Sequence, residues 1–177
     1  MANVHARYLA LLESEGWIDR TLEHLPTDKQ IAERQASGRG LTTPEFAVLL
    51  AYTKTTNIAI VENSTLPDDP YLEPELFSYF PRALRERFPD QIRRHRLRRE
   101  IIATQISNEM VNLSGITFDH RVTEDTGLGV VDINRAWIAV RDVFGMVDLW
   151  QRIEALGADV RLDTRLELFL EVRQMVE

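Results

Sequence analysis

Apolar positions recur at three- and four-residue spacing along almost all of the 177-residue chain, and the glycines fall between the periodic stretches rather than inside them. That rhythm predicts helices punctuated at their ends. Residues 3–14 form a first amphipathic helix stopped at Gly16, with a short turn at 20–24. In "PTDKQIAERQASG", Thr27 as N-cap and Gln30 three residues on make a capping box, and Gly38 closes the helix. "LTTPEFAVLLAYTKTTNIAIVEN" carries Thr43 at the cap, Pro44 at the first helical position and Glu45 beside the positive helix end, so it reads as a long, largely buried helix.

Five of the seven prolines lie between 67 and 89. Proline suits a first helical turn and breaks an interior, so Pro74, Pro81 and Pro89 each start a new helix. The stretch is not a disordered linker, because Leu72, Leu76, Phe77, Tyr79, Phe80, Leu84 and Phe88 give it too much to bury. From Pro89 one long helix is expected to reach Ser114 and end at Gly115. A short helix in "TFDHRVTEDTG", a longer one from Val130 to Phe144 with Gly129 as N-cap, one from Asp148 to Leu156 and a last one over 161–176 complete the chain. No segment shows strand alternation and no internal repeat is visible. The expectation is an all-α, multi-helix bundle of about eight to ten helices, several short and proline-initiated, making one domain over residues 1–177.

Composition narrows the chemistry. Apolar residues make up 44% of the chain, enough for one sizeable core. With no cysteine, disulfides, thiolate metal sites and cysteine nucleophiles are excluded, which suits a reducing cytoplasm. The apolar runs "YLALL" and "FAVLLAY" are far below the length of a membrane span, so no membrane association is expected. None of the four histidines has Glu three residues before it, as a di-iron helix pair requires, and no His-Glu-x-x-His zinc motif occurs. "TGLGVVD" lacks the third glycine and the preceding strand of a dinucleotide loop. His24 beside Glu23 and His120 beside Asp119 read as surface or packing histidines, since adjacent helical residues point in different directions. No catalytic, cofactor-binding or metal residue is assigned.

Charge is polarised. The net charge is −7, yet residues 82–99 hold eight arginines against Glu86 and Asp90, a local +6 that leaves −13 elsewhere. A phosphate-binding face is one reading. Arginine outnumbers lysine nineteen to two in the whole chain, however, and no recognisable DNA-binding turn accompanies the cluster, which favours pairing with acidic protein surface. Arg96, Glu100, Thr104, Asn108 and Asn112 then recur every fourth position as one polar stripe, flanked by Leu97, Ile101, Ile106 and Met110. Such a stripe is either buried, with its amides bonded to neighbouring helices, or solvated.

The strings "HRLRREIIATQISNEMVNLSGITFDHRVTEDTG", "RGLTTPEFAVLLAYTK", "LPDDPYLEPELFSYFPRALRERF", "RAWIAVRDVF" and "LWQRIEAL" resemble the C-terminal region of the large bacterial NAD-specific glutamate dehydrogenases, essentially from end to end. The resemblance implies a segment that follows the catalytic part of a much longer chain, one that oxidatively deaminates glutamate to 2-oxoglutarate with NAD. It places the nucleotide-binding fold, the catalytic lysines and the glutamate pocket outside these residues. Two positions depart from the family pattern: Gly129 stands where a small polar N-cap is usual, and Arg161 where the last helix often opens with proline. The helical pattern still running at Glu177 reads as an excised fragment.

The expected role is therefore a non-catalytic helical domain, without a cofactor of its own, that contacts the rest of the dehydrogenase chain and its other subunits. Arg96 and Arg99 are the expected interdomain contacts, and Glu100, Thr104, Asn108 and Asn112 the polar stripe. The alternative is a free-standing helical regulator that binds nucleic acid through residues 82–99.

Overall fold

The computed structural model describes residues 2–157 and 160–176, so the expectation for the chain's end at Glu177 lies outside the described residues. Among the described residues the fold is all-α: α1 (Ala2–Ser14), α2 (Asp28–Ala36), α3 (Thr43–Glu62), α4 (Glu73–Ser78), α5 (Arg82–Arg87), α6 (Pro89–Arg93), α7 (Arg98–Ser114), α8 (Phe118–Thr126), α9 (Val130–Val143), α10 (Met146–Glu154) and α11 (Leu162–Gln174). Two 3₁₀ turns, Leu66–Asp68 and Pro70–Leu72, link α3 to α4.

Helix α7 is the central strut. It packs on α3, α4 and α9, and Ile102, Ala103 and Ile106 on it are fully buried. One apolar cluster joins it to Leu76 of α4, Trp137 of α9 and Met146 and Trp150 of α10, with the two indole rings stacked at 6.4 Å. A second cluster builds the N-terminal end from Leu9 and Leu12 of α1, Ile31 of α2 and Leu49 of α3, closed by Val111 and Ile116.

The local start signals act as expected at α2, where the Thr27 N–H donates to Gln30 Oε1 at 2.9 Å and the Gln30 N–H returns to Thr27 Oγ1. At α3 the cap is Thr42, one residue earlier than the sequence reading, because Glu45 is three residues on from Thr42 and accepts its N–H at 2.7 Å. Pro74 and Pro89 lie in the first turns of α4 and α6, and Pro81 immediately precedes α5. Gly127, at φ 74°, takes the left-handed turn that ends α8. Helix α10 begins at Met146, two residues before the expected Asp148.

One expected element is corrected. The continuous helix from Pro89 to Ser114 is two helices, α6 and α7, separated by residues 94–97. No breaker residue marks the place. His95 causes it: its Nδ1 accepts the Leu97 N–H at 3.2 Å, while its own N–H turns to the Ile92 carbonyl at 3.0 Å. The His95 ring packs edge-on to Phe80 at 5.5 Å. Beyond the break, Arg98 reaches the Pro67 carbonyl at 3.1 Å and Arg99 the carbonyls of Glu62 and Ser64 at 2.8 and 2.6 Å, which fixes the start of α7 against the end of α3.

Candidate functional site

The arginine-rich segment divides into two groups. Arg93 pairs with Glu73 and Asp90 at 2.9 and 3.1 Å, Arg82 with Glu86 at 2.6 Å, and Arg99 with Asp68. Arg99 is thus drawn into the domain, where its guanidinium caps the carbonyl end of α3. Arg85, Arg87, Arg94 and Arg96 meet no carboxylate among the described residues. Arg87 lies over the Phe88 ring at 5.3 Å, and Arg94 and Arg96 border an open hollow of about 860 Å³ with His95, Leu97 and Glu100.

Of the polar stripe, Arg96 sits in the break before α7, Glu100, Thr104 and Asn108 are half-buried, and Asn112 is exposed. Asn108 and Asn112 look onto an open groove of about 620 Å³ between α4, α7 and α10, shared with Gln105, Glu109, Arg141 and Glu154. The stripe is a wetted rim rather than a bonded interior seam.

The bonded interior lies elsewhere, at residues whose role the sequence reading missed. Arg141 of α9 is buried, and its guanidinium donates to Asp142 at 2.7 Å, to Glu75 of α4 at 2.8 Å and to Glu109 of α7, with Trp137 under it at 5.5 Å. The Tyr71 hydroxyl adds a 2.7 Å bond to Asp142. Burial raises the Glu109 carboxyl above its ordinary range despite the neighbouring guanidinium. For Asp142 burial is outweighed by the bonds from Arg141 and Tyr71, which hold it low. The sequence carries only half of the signal for this clamp: the helical spacing of Ile133, Trp137 and Ile138 runs on into Arg141, but its carboxylate partners on α4 and α7 are remote.

A second buried polar layer joins α3, α7 and α8. Ser107 Oγ donates to Asn57 Oδ1 at 2.6 Å, and Asn57 Nδ2 faces Asp119 at 3.5 Å. Asp119 also accepts the His120 N–H at 2.8 Å, and the His120 ring stacks on Tyr8 at 5.1 Å, the packing role expected of it. Burial pushes the Asp119 carboxyl above the ordinary carboxylate range, with the His120 and Asn57 bonds acting against it. A folded pKa above the unfolded one means a contribution to stability that is complete in acid and lost as pH rises through the folded value. Relative to the parent, Asp119→Asn is expected to gain stability as pH rises above the ordinary aspartate range, about 4, measured as the difference in unfolding free energy at each pH. A constant difference across that range would show that the carboxyl titrates normally.

Among the described residues no group of three or more His, Asp and Glu side chains is placed to hold a metal ion, and no helix is long and apolar enough to cross a membrane. The buried polar groups join helices to one another, and the unneutralised ones face outward. The described residues form a helical bundle with one cationic corner and one mixed groove.

The chain belongs to the glutamate dehydrogenase C-terminal family, which it matches over residues 38–177. It is 42% identical over 171 residues to an NAD-specific glutamate dehydrogenase of Pseudomonas aeruginosa, covering 97% of this chain and 11% of that protein. Similar enzymes from Mycobacterium tuberculosis and Halomonas elongata are 40% and 38% identical over 98% and 97% of this chain. The chain spans about 11% of the length of each of these relatives.

Proposed function

We propose that these residues form a non-catalytic helical domain of an NAD-dependent glutamate dehydrogenase, which packs on the remainder of that enzyme or on another of its subunits. The observation that carries the reading is the match of nearly the whole chain to a small fraction of three NAD-specific glutamate dehydrogenases. The parent reaction is the oxidative deamination of L-glutamate to 2-oxoglutarate, in the cytoplasm, with NAD held by other parts of the longer chain. Arg96, with its neighbour Arg94, is the contact that this reading favours, since neither meets a carboxylate among the described residues; Arg99 acts from behind them by holding α7 in place. Of the stripe of Glu100, Thr104, Asn108 and Asn112, Glu100 borders the hollow beside Arg94 and Arg96, and Asn108 and Asn112 give the separate groove hydrogen-bonding groups.

The test is calorimetric titration of the 177-residue chain with NAD, alone and with glutamate present. No saturable heat and no glutamate-dependent reduction of NAD are expected. A saturable site of about micromolar affinity would place nucleotide binding in this domain and overturn the reading.

A further inference from the structure

Helix α11 presents an unpartnered face. Leu162, Leu166 and Leu170 stand in one row at four-residue spacing, each more than half exposed. In the adjoining row Glu167 and Glu171 are exposed and meet no cation among the described residues, whereas Asp163 is held by Arg161 at 2.6 Å. The arginine corner is its counterpart in sign and in apolar content: Arg85, Arg87, Arg94 and Arg96 are unneutralised, and Leu84, Phe88 and Leu97 are exposed among them. Within one copy the two features serve different neighbours, since α11 packs chiefly on α10, whereas α5 packs on α6 and α6 on α4.

We infer that the arginine corner of one copy receives α11 of a second copy, with Leu166 and Leu170 seated against Leu97 and Phe88 and with Glu167 and Glu171 facing Arg94 and Arg96. One contact of this kind covers the exposed leucines of α11 together with apolar side chains of the corner and sets two carboxylates against two of its unneutralised arginines, which neither face achieves by pairing with itself. The argument rests on charge complementarity. Because the two surfaces differ, the contact is head-to-tail, and a pair of copies still has one free corner and one free α11 face; assembly then proceeds past a dimer to a ring or an open chain. The inference gives a partner to the contact role proposed above and rests on that reading.

Sedimentation of the 177-residue chain at about 0.1 mM tests it. At low salt the chain is expected to form species larger than a dimer, and about 0.5 M NaCl is expected to weaken the association roughly tenfold by screening the ion pairs. Arg94→Ala with Arg96→Ala removes one face, and Leu166→Ser with Leu170→Ser removes the other; all four side chains lie in the break segment or on an exposed helix face, and circular dichroism checks that each variant keeps the parent's helix content. Each variant alone is expected to be monomeric, and an equimolar mixture to give a one-to-one complex and nothing larger. A parent chain that stays monomeric at low salt, or a mixture that stays monomeric, overturns the inference. Either result leaves the proposed function standing if NAD still fails to bind, and points instead to an acidic segment elsewhere in the dehydrogenase as the occupant of the corner.

Discussion

Arg141→Ala is expected to cost the domain about 3–5 kcal/mol of stability, the range for removing one partner from a buried ion-pair network. Among the described residues the guanidinium is the only cation that Glu75, Glu109 and Asp142 share, and they come from α4, α7 and α9. Its removal leaves three carboxylates facing one another at partly buried positions. Burial already holds Glu109 above its ordinary range with the arginine in place, and without it Glu109 should titrate higher still and Asp142 should lose the bond that helps hold it low. Raised folded pKa values mean that protonation favours the folded state, so the deficit of the variant should shrink as pH falls from about 7 to about 5. Arg141→Lys should recover only part of the loss, because an ammonium cannot reach three carboxylates with the planar fork of a guanidinium. Urea unfolding at the two pH values measures both effects. A deficit below about 1 kcal/mol, unchanged by pH, would show that the clamp behaves as a surface ion pair.

Leu76→Ala should cost about 2–5 kcal/mol, as leucine truncations in close-packed cores do. Leu76 is fully buried in the main apolar cluster, at the point where the proline-punctuated segment docks on α7. Phe80, which the sequence reading groups with Leu76 as an anchor, is only partly buried, edge-on to Tyr79 and His95 at 5.3 and 5.5 Å. Phe80→Ala should therefore cost about 1–2 kcal/mol, in proportion to the apolar area it hides. The order of the two losses is the test, read from thermal or urea unfolding. If Phe80→Ala is the more damaging, the corner is held by its aromatic rim and not by Leu76.

What the chain makes readable is set by the range of the interactions. The Thr27 and Gln30 capping box, the helix starts at Pro74 and Pro89, and the glycine end of α8 are local, and each stands where its residues imply. Thr42 and Thr43 both carry the hydroxyl a cap needs, and only the closing bond from Glu45 decides between them. The break at residues 94–97 escapes periodicity because apolar spacing continues through it; a histidine ring and the reach of Arg98 and Arg99 to carbonyls more than thirty residues away impose it. The four-residue spacing of Glu100, Thr104, Asn108 and Asn112 shows a stripe, but whether that stripe is covered depends on how α4 and α10 flank α7. Arg141 was hidden for a related reason: an arginine in a buried rhythm is read as surface until Glu75 and Glu109, 66 and 32 residues away, are seen to meet it.

Whether these residues act by contact is tested by hydrogen exchange on the 177-residue chain alone and on the same residues within the longer dehydrogenase polypeptide proposed above. Slower exchange inside the longer protein is expected in two places, residues 85–97 and α11, because both carry exposed apolar and unneutralised charged groups in the isolated domain. Addition of NAD to the isolated chain should change nothing. Identical exchange of the segment in both settings, together with protection of the isolated chain by NAD, would contradict a contact domain and indicate a nucleotide site within it.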